Sequence, residues 1–538
     1  MITLAKKADC CGCRSCEQSC PVHCITMKPD AEGFLYPNVD INTCIGCGAC
    51  ERACPIIANE QNMRAQPPAE IIAYGGRHKD DAVRGASSSG GAFSVLAEKI
   101  IEQGGTVFGC ALNEHCQAVH IGVDRLDELA LLRGSKYVQS DTKHSYTAVK
   151  ELLEAGKKIL FVGTPCQAAG LYSFLGNKRN DNLYTVDFIC HGVPSPMVFA
   201  DYINKLEKEN GSKVISFKFR NKDRGWNQTG LQLGTYFKCQ NGAEVRKYPA
   251  FQDKYMNCFL DDTALRPSCY ECRFKQTPKY YADLTIADFW GVNKVDPTLN
   301  DKKGTSLILV NTAEGKQLWD AISKDNRFEY KEVDFPKSIR KNQTLLKSAE
   351  YPPQREKFFV DYKKYGYDYA ESKYMSAITW FSHKICKIII KILRRFEQFI
   401  KFGIVGCSNT LINLFVYYLF LYLDAHYLIA YTFGFLVSVS NAFFWNSRFV
   451  FKNKHENNAI KAFLKVFLSY GFSFILSVGI MSLMVEVFRI SAVIAPVLKL
   501  AITIPMNFLL NKYWAFKDHK SDPIENRALC HRGRSMLQ

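Results

Sequence analysis

Two short runs near the start of the chain hold cysteines at spacings that bind iron. "CCGCRSCEQSCP" begins at Cys10 and "CIGCGACERACP" at Cys44, and each reads C-x2-C-x2-C-x3-C-P. Three thiolates on one tight turn can grip three corners of a [4Fe–4S] cubane, while the fourth points away to a second cluster. The expected ligand sets are therefore Cys10, Cys13, Cys16 and Cys54 for one cluster, and Cys44, Cys47, Cys50 and Cys20 for the other. Cys11 and Cys24 are left spare. A zinc site would need two cysteine pairs instead of three plus one. Disulfides belong to exported chains, and Met1 to Asp9 offers no apolar stretch for a signal peptide. Small Gly46, Gly48 and Ala49 suit the close approach of backbone N–H groups to sulfur.

The elements that must position these thiols differ along the chain. With 538 residues several domains are expected, because single cores rarely exceed ~250–300 residues. Residues 1–57 read as a compact dicluster ferredoxin of the bacterial type, an α+β unit, and 58–70 as a polar linker. Residues 71–352 alternate buried-strand patterns, such as "KILFVG" (158–163) and "LYTVDFI" (183–189), with amphipathic helices at 91–104 and 144–156. That alternation predicts a mixed α/β domain around a parallel or mixed sheet. Residues 353–398 read as a linker and a basic interfacial helix.

Beyond it, 399–518 carry four apolar spans, at 402–423, 428–447, 466–485 and 490–511, each about the ~20 residues a bilayer-crossing helix needs. Five Lys and Arg lie between Arg448 and Lys465, which predicts a cytoplasmic loop and both termini in the cytoplasm. The formal charge of +17 invites a nucleic-acid reading, but 19 Lys and Arg against 7 Asp and Glu fall within 381–538, around the apolar spans. No nucleic-acid partner is expected. Twenty-one cysteines without an export signal fit metal ligation in a reducing compartment. The ends "NSRFVFK" (446–452) and "NKYWAFK" (511–517) suggest a duplicated two-helix unit, and 519–538 read as a disordered tail.

Four further cysteines stand in distinctive settings: "GTPCQAAGL" (Cys166), "DFICHGVPSP" (Cys190) and "CYECRFK" (Cys269, Cys272). With "GSKYVQS" (134–140) and "ADLTIADFWG" (282–291), these resemble the coenzyme F420 hydrogenase/dehydrogenase β-subunit family, from about Ala73 to Asn311. The resemblance implies a flavoprotein-like domain carrying FAD beside a further [4Fe–4S] cluster, with Cys166, Cys190, Cys269 and Cys272 as ligands. Cys166 and Cys190 each follow a buried-strand pattern, so both are expected on loops at strand ends. Zinc on the same four cysteines, or unligated thiols, stay open. Cys110, Cys116, Cys239 and Cys258 read as buried thiols.

In that family context "ASSSGGAF" (86–93) becomes a flavin-phosphate candidate, through Ser88, Ser89, Gly90 and Gly91 at a helix start. Lys136 could set positive charge near a flavin, and His191 could hydrogen-bond beside Cys190. The stretch "FIKFGIVGCSNTLINLFVYYLF" (399–420) resembles the GtrA family, associated with moving polyprenyl-linked sugars in surface polysaccharide synthesis. Lys499, with Asn409, Asn413, Asn441 and Asn507, is expected to form a polar seam inside the membrane.

Together these readings predict a membrane-anchored iron–sulfur flavoprotein oxidoreductase of the cytoplasmic membrane. It would exchange electrons with a redox partner protein or small-molecule carrier. The alternative is a transporter of polyprenyl-linked sugar, or an accessory membrane protein, with a regulatory redox half.

Overall fold

The computed structural model of the chain describes residues 2–4, 6–57, 71–226, 232–275, 281–375, 401–420, 422–425, 427–450, 459–489 and 505–511. Two compact units divide it, Met1–Ser382 and His383–Gln538. The ferredoxin-like segment is therefore part of the same compact unit as the α/β segment, where the sequence suggested two domains.

In the first unit, β1 (Ile25–Pro29) and β2 (Leu35–Val39) form an antiparallel hairpin pairing Ile25 with Val39. Two short helices, Ser15–Gln18 and Ala49–Arg52, flank it. The cysteine runs fold alike. Gly12 and Gly46 have φ of 71° and 68°, and the next turn places Arg14 and Gly48 at φ 61° and 69°. Glycine adopts that left-handed geometry freely, while arginine is strained there. At Arg14 the strain is offset by bonds to both Asp141 carboxylate oxygens, at 2.5 and 2.9 Å, and to Glu17 at 2.5 Å.

The larger sheet is built from β3 (Ile72–His78), β4 (Thr106–Leu112), β5 (Ala118–Val123), β6 (Ile159–Gly163) and β7 (Leu183–Phe188). After β8 (Val214–Asn221), β9 (Gly234–Cys239) and β10 (Glu244–Lys247), it is completed by β11 (Leu284–Asp288), β12 (Ser306–Val310) and β13 (Phe328–Val333). Its order is β13-β3-β12-β11-β7-β6-β4-β5. The strands β4, β6, β7 and β11 run parallel, and the outer ones antiparallel. The apolar run "SLILV" makes β12 buried along its whole length, as a strand covered on both faces requires. Helix Ala92–Glu102 lays Val95, Leu96 and Ile100 on one face of the sheet.

The strands β10, β9 and β8 form a separate antiparallel sheet. It closes an aromatic core of Phe199, Tyr202, Phe217, Phe219 and Tyr255. Two helices, Arg355–Tyr365 and Tyr367–Tyr374, add Phe358, Phe359, Tyr362 and Tyr374 to that core. The expected linker from 353 therefore begins instead with packed helices. Their buried face is aromatic and hidden among charges, which is why the pattern reads as linker. The expected linker 58–70, most of the interfacial helix and the tail 519–538 lie outside the described residues.

In the second unit, helix Lys401–Phe420 is long and apolar enough to cross a membrane, and among the described residues it alone meets that test. Helices Tyr427–Trp445 and Ala459–Ser482 follow, each ending in a widened turn, and 505–510 are helical. The fourth expected span, with Lys499, lies largely outside the described residues. Asn441 donates to Asn409 at 2.7 Å and to Ser408 at 3.3 Å. A β-carbon on Gly434 would stand 2.4 Å from Asn413 Oδ1, so glycine is what lets these helices close at that point. Leu411, Phe415, Phe472 and Ile475 face outward, as lipid contact favours.

Candidate metal centres

Three cavities in the first unit are lined by cysteine. One is bounded by Cys44, Cys47, Cys50 and Cys20, with Cys24 beside them. The next is bounded by Cys10, Cys13, Cys16 and Cys54, again with a fifth thiol, Cys11. Each cavity thus gathers three cysteines of one run and the last cysteine of the other, which is the crossed pairing expected from the spacing. The Cys20 and Cys24 sulfurs lie 3.4 Å apart.

The third cavity, of about 190 Å³, brings together Cys166, Cys190, Cys269 and Cys272. Local structure explains why these distant residues meet. β6 and β7 are adjacent parallel strands. Cys166 opens the helix Pro165–Phe174 just beyond β6, and Cys190 follows β7 by two residues. Thr164 fixes the first of these turns through a reciprocal cap with Gln167, and its hydroxyl lies 3.0 Å from the Cys166 sulfur. Cys269 sits in the helical turn Pro267–Tyr270, and Cys272 N–H is tied to Ser348 Oγ at 2.9 Å.

Contact with the Cys11 thiol, then burial, pushes the Cys166 thiol well up. Burial, with a further push from neighbouring cysteines, raises Cys269 to about 12 and Cys272 to about 11. Thiols in such a place ionise only against strong local positive charge, which a bound metal centre supplies. Among the described residues no three His, Cys, Asp or Glu side chains stand close enough to hold a single metal ion. Four cysteines lining one cavity are the donor number that either a [4Fe–4S] cubane or a zinc ion takes.

Four residues that spacing did not flag as ligands, Cys11, Ile56, Arg266 and Thr142, complete the arrangement. Cys11 and Ile56 line both the second and the third cavity, so those two share a wall. Arg266, fully buried, donates to Cys10 O (2.7 Å), Leu35 O (2.8 Å) and Gln139 Oε1 (2.9 Å) and lines the third cavity. Thr142 donates to Cys13 O at 2.9 Å. His191 bonds Asp262 Oδ1 at 2.5 Å, and its carbonyl accepts from Lys275 at 2.9 Å. Cys116, Cys239 and Cys258 are buried thiols as expected, and Cys110 is partly exposed.

The flavin candidates are placed differently from the expectation. Gly90 N–H and Ala92 N–H are both already bonded to Ser306 Oγ, at 3.0 and 3.4 Å. Ser89 donates to Thr305 O at 2.7 Å. The helix start that Gly91 opens is thus capped from β12, which no local pattern could announce. Ser88 Oγ accepts from Ser135 N–H and Oγ at 2.7 and 2.9 Å, joining the stretches 86–93 and 134–140. Lys136 donates to three carbonyls, of Leu131, Leu132 and Arg133, at 2.9 to 3.1 Å. Burial pulls its amine down to about 8. Its immediate task is to close a helix end.

Comparison with known proteins matches three segments. Residues 9–58 match the 4Fe-4S dicluster domain. Residues 156–335 match the C-terminal part of the coenzyme F420 hydrogenase/dehydrogenase beta subunit. Residues 401–516 match the GtrA/DPMS transmembrane domain. No curated protein matches the chain. Among solved structures, a chain of the F420-reducing [NiFe] hydrogenase complex from Methanosarcina barkeri, studied by xenon derivatization, is similar at 15% identity and a TM-score of 0.34. That match covers 57% of this chain and 91% of the other. By its three family matches, the chain is an iron–sulfur, oxidoreductase-like electron-transfer protein joined to a GtrA-like membrane domain.

Proposed function

We propose that the chain is a membrane-anchored iron–sulfur flavoprotein oxidoreductase, with three [4Fe–4S] clusters and FAD serving a soluble substrate. The observation that carries this reading is the shared wall of Cys11 and Ile56, which sets the third cysteine cavity directly against the second. Cys10, Cys13, Cys16 and Cys54 would hold one cluster; Cys44, Cys47, Cys50 and Cys20 another; and Cys166, Cys190, Cys269 and Cys272 the third. Iron–sulfur clusters supply one-electron chemistry, and a flavin lets such carriers serve a two-electron acceptor.

The chain's own residues set the conditions. Ile56 and Phe274 are buried beside Cys11, keeping the shared wall apolar. Arg266 brings a buried positive charge to the third cavity, its hydrogen bonds going to neutral carbonyl groups. Ser88, Ser89, Gly90, Gly91 and Lys136 stay the candidates for the FAD region, although the hydroxyl of Ser89 and the N–H of Gly90 are engaged within the protein and Lys136 binds carbonyls at a helix end.

The membrane unit would form four spans, with both termini in the cytoplasm. The GtrA likeness links the redox step to surface polysaccharide synthesis. The second reading, translocation of a polyprenyl-linked sugar under redox regulation, draws on the partly buried contact between Asn409 and Asn441.

Anaerobic purification with iron, sulfide and flavin quantified together tests the redox reading. About twelve irons per chain are expected, from three clusters of four. Cys166→Ala should lower that to about eight and leave the two ferredoxin-type signals in EPR intact. Eight irons in the unaltered protein would remove the third cluster, and zinc in its place would reassign the site.

A further inference from the structure

Arg220, on β8, carries a charge that its surroundings do not use up. Its side chain is 6% exposed. One amino group bonds the Asp288 carboxylate, but Nε and the other amino group, Nη2, are buried and make no hydrogen bond. Such donors are costly to bury unpaired. The open Nε–Nη2 edge is the one with which a guanidinium takes an oxyanion in two-pronged fashion.

The surroundings suit a phosphate. Trp226 Nε1 donates to Asp288 Oδ1 at 3.2 Å, stacks on Trp290 at 5.1 Å, and so fixes the partner of Arg220. The guanidinium lies 5.7 Å from the Trp290 ring. Lys222, two residues along, is held by the carbonyls of Arg84 (2.7 Å) and Ser89 (2.8 Å). Arg84 in turn pairs with Asp301. Arg77 also pairs with Asp301, and with Glu329, so four cations meet three carboxylates, an excess of positive charge that a phosphate would balance. Burial, then repulsion from Arg220, pulls the Lys222 amine down to about 7. The Tyr137 hydroxyl faces the Arg220 guanidinium without a hydrogen bond of regular geometry, and a bound phosphate would take its place beside that edge; Tyr137 lies two positions after Ser135, the partner of Ser88.

The patch also connects to the third cavity. The His191 ring meets Phe259 edge-on at 5.0 Å, and Phe259 stacks on Tyr137 at 4.4 Å. Three rings therefore lead from the Cys190 loop to Arg220.

We propose that Arg220 anchors a buried phosphate site, its open edge gripping a phosphate of a flavin or of a phosphorylated soluble ligand. This rests on the reading that the α/β segment binds a redox ligand. The site stands on β8 and the end of β11, whereas the sequence had suggested the Ser/Gly helix start and Lys136.

The test uses the full chain in detergent, purified anaerobically with its iron and stripped of flavin. FAD, riboflavin and inorganic pyrophosphate are the probes. The unaltered protein should bind FAD at least tenfold more tightly than riboflavin, and pyrophosphate should raise its unfolding midpoint. In Arg220→Gln the pyrophosphate effect should vanish with iron content unchanged. If FAD affinity falls at least tenfold as well, the phosphate is the flavin's. If FAD affinity holds while the pyrophosphate effect is lost, it belongs to a soluble ligand. Should Arg220→Gln fail to fold, Arg220→Lys keeps the charge without the fork and is read in the same way. A folded variant that retains both responses overturns the proposal, as does an unaltered protein that ignores pyrophosphate and treats FAD and riboflavin alike. An unaltered protein that binds pyrophosphate but no flavin overturns the flavin reading alone.

Discussion

At the scale of single residues, Asp187 at the end of β7 shows how burial turns a side chain into a pH sensor. It is 4% exposed and accepts from Thr285 Oγ1 at 2.6 Å. Burial, with a further push from Asp283, raises its carboxyl from 3.8 to about 7. The unfolded chain gives up this proton earlier than the folded one. Stability from this group is therefore full below about 4, falls as pH rises to about 7, and is level above. Asp187→Asn, which can still accept from Thr285, should flatten that window and stabilise the protein at pH 8 by roughly 1–3 kcal/mol. Urea unfolding at pH 5 and pH 8 measures this, and an unchanged difference between the two would refute it. The twelve proposed ligand cysteines were legible because metal coordination imposes spacing or a distinctive setting. Arg266 and Arg220 were not, because an arginine acquires its role from contacts such as that to Cys10 O, which lies 256 positions away.

Among the elements, the helix Pro165–Phe174 depends on one missing side chain. A β-carbon on Gly170 would stand 2.9 Å from the Tyr146 hydroxyl and 3.0 and 3.1 Å from Cys13 Cβ and Sγ. Ser15 also donates to Gly170 O at 3.1 Å, so the helix and the first cysteine run meet at this point. Two effects oppose each other in Gly170→Ala. Helix propensity favours alanine by ~1 kcal/mol. Forcing an extra carbon into a packed contact costs ~1–3 kcal/mol, and the neighbour that must yield is a proposed cluster ligand. We expect the second to win, with a lower unfolding midpoint and fewer irons per chain. A variant with full iron and a raised midpoint would show that the contact relaxes cheaply. The strands β6 and β7 were legible as short apolar runs buried on both faces, and the helices Ala92–Glu102 and Ser145–Glu154 from periodicity, since each buries one apolar face. Sheet order was not, because β12 and β13 return antiparallel beside β3 through pairings that no local pattern encodes.

For the molecule as a whole, the ferredoxin-like segment is built into the unit it serves. Phe34, fully buried, shares a core with Val198, Phe199 and Phe358. Glu32 takes a two-pronged bond from Arg355, at 2.6 and 3.0 Å, and Arg355 is itself buried. Gln139 and Thr142 reach the carbonyls of Cys11 and Cys13. Removing residues 1–57 would leave Arg266 without its bonds to Cys10 and Leu35 and strip Arg355 of its carboxylate. Breaking one partner from a buried pair costs ~3–5 kcal/mol, a large part of the ~5–15 kcal/mol that holds a typical domain together. A fragment of residues 71–382 should therefore be aggregation-prone and poor in iron, whereas 1–382 should be a stable iron-bearing protein once freed of the membrane unit. Limited proteolysis and iron analysis of the two fragments distinguish the cases. If 71–382 alone proved as protease-resistant as 1–382 and held about four irons, the segments would be independent domains that merely touch. The shared wall at Cys11 would then be a docking contact, and electron exchange across it would depend on how often the two pieces meet.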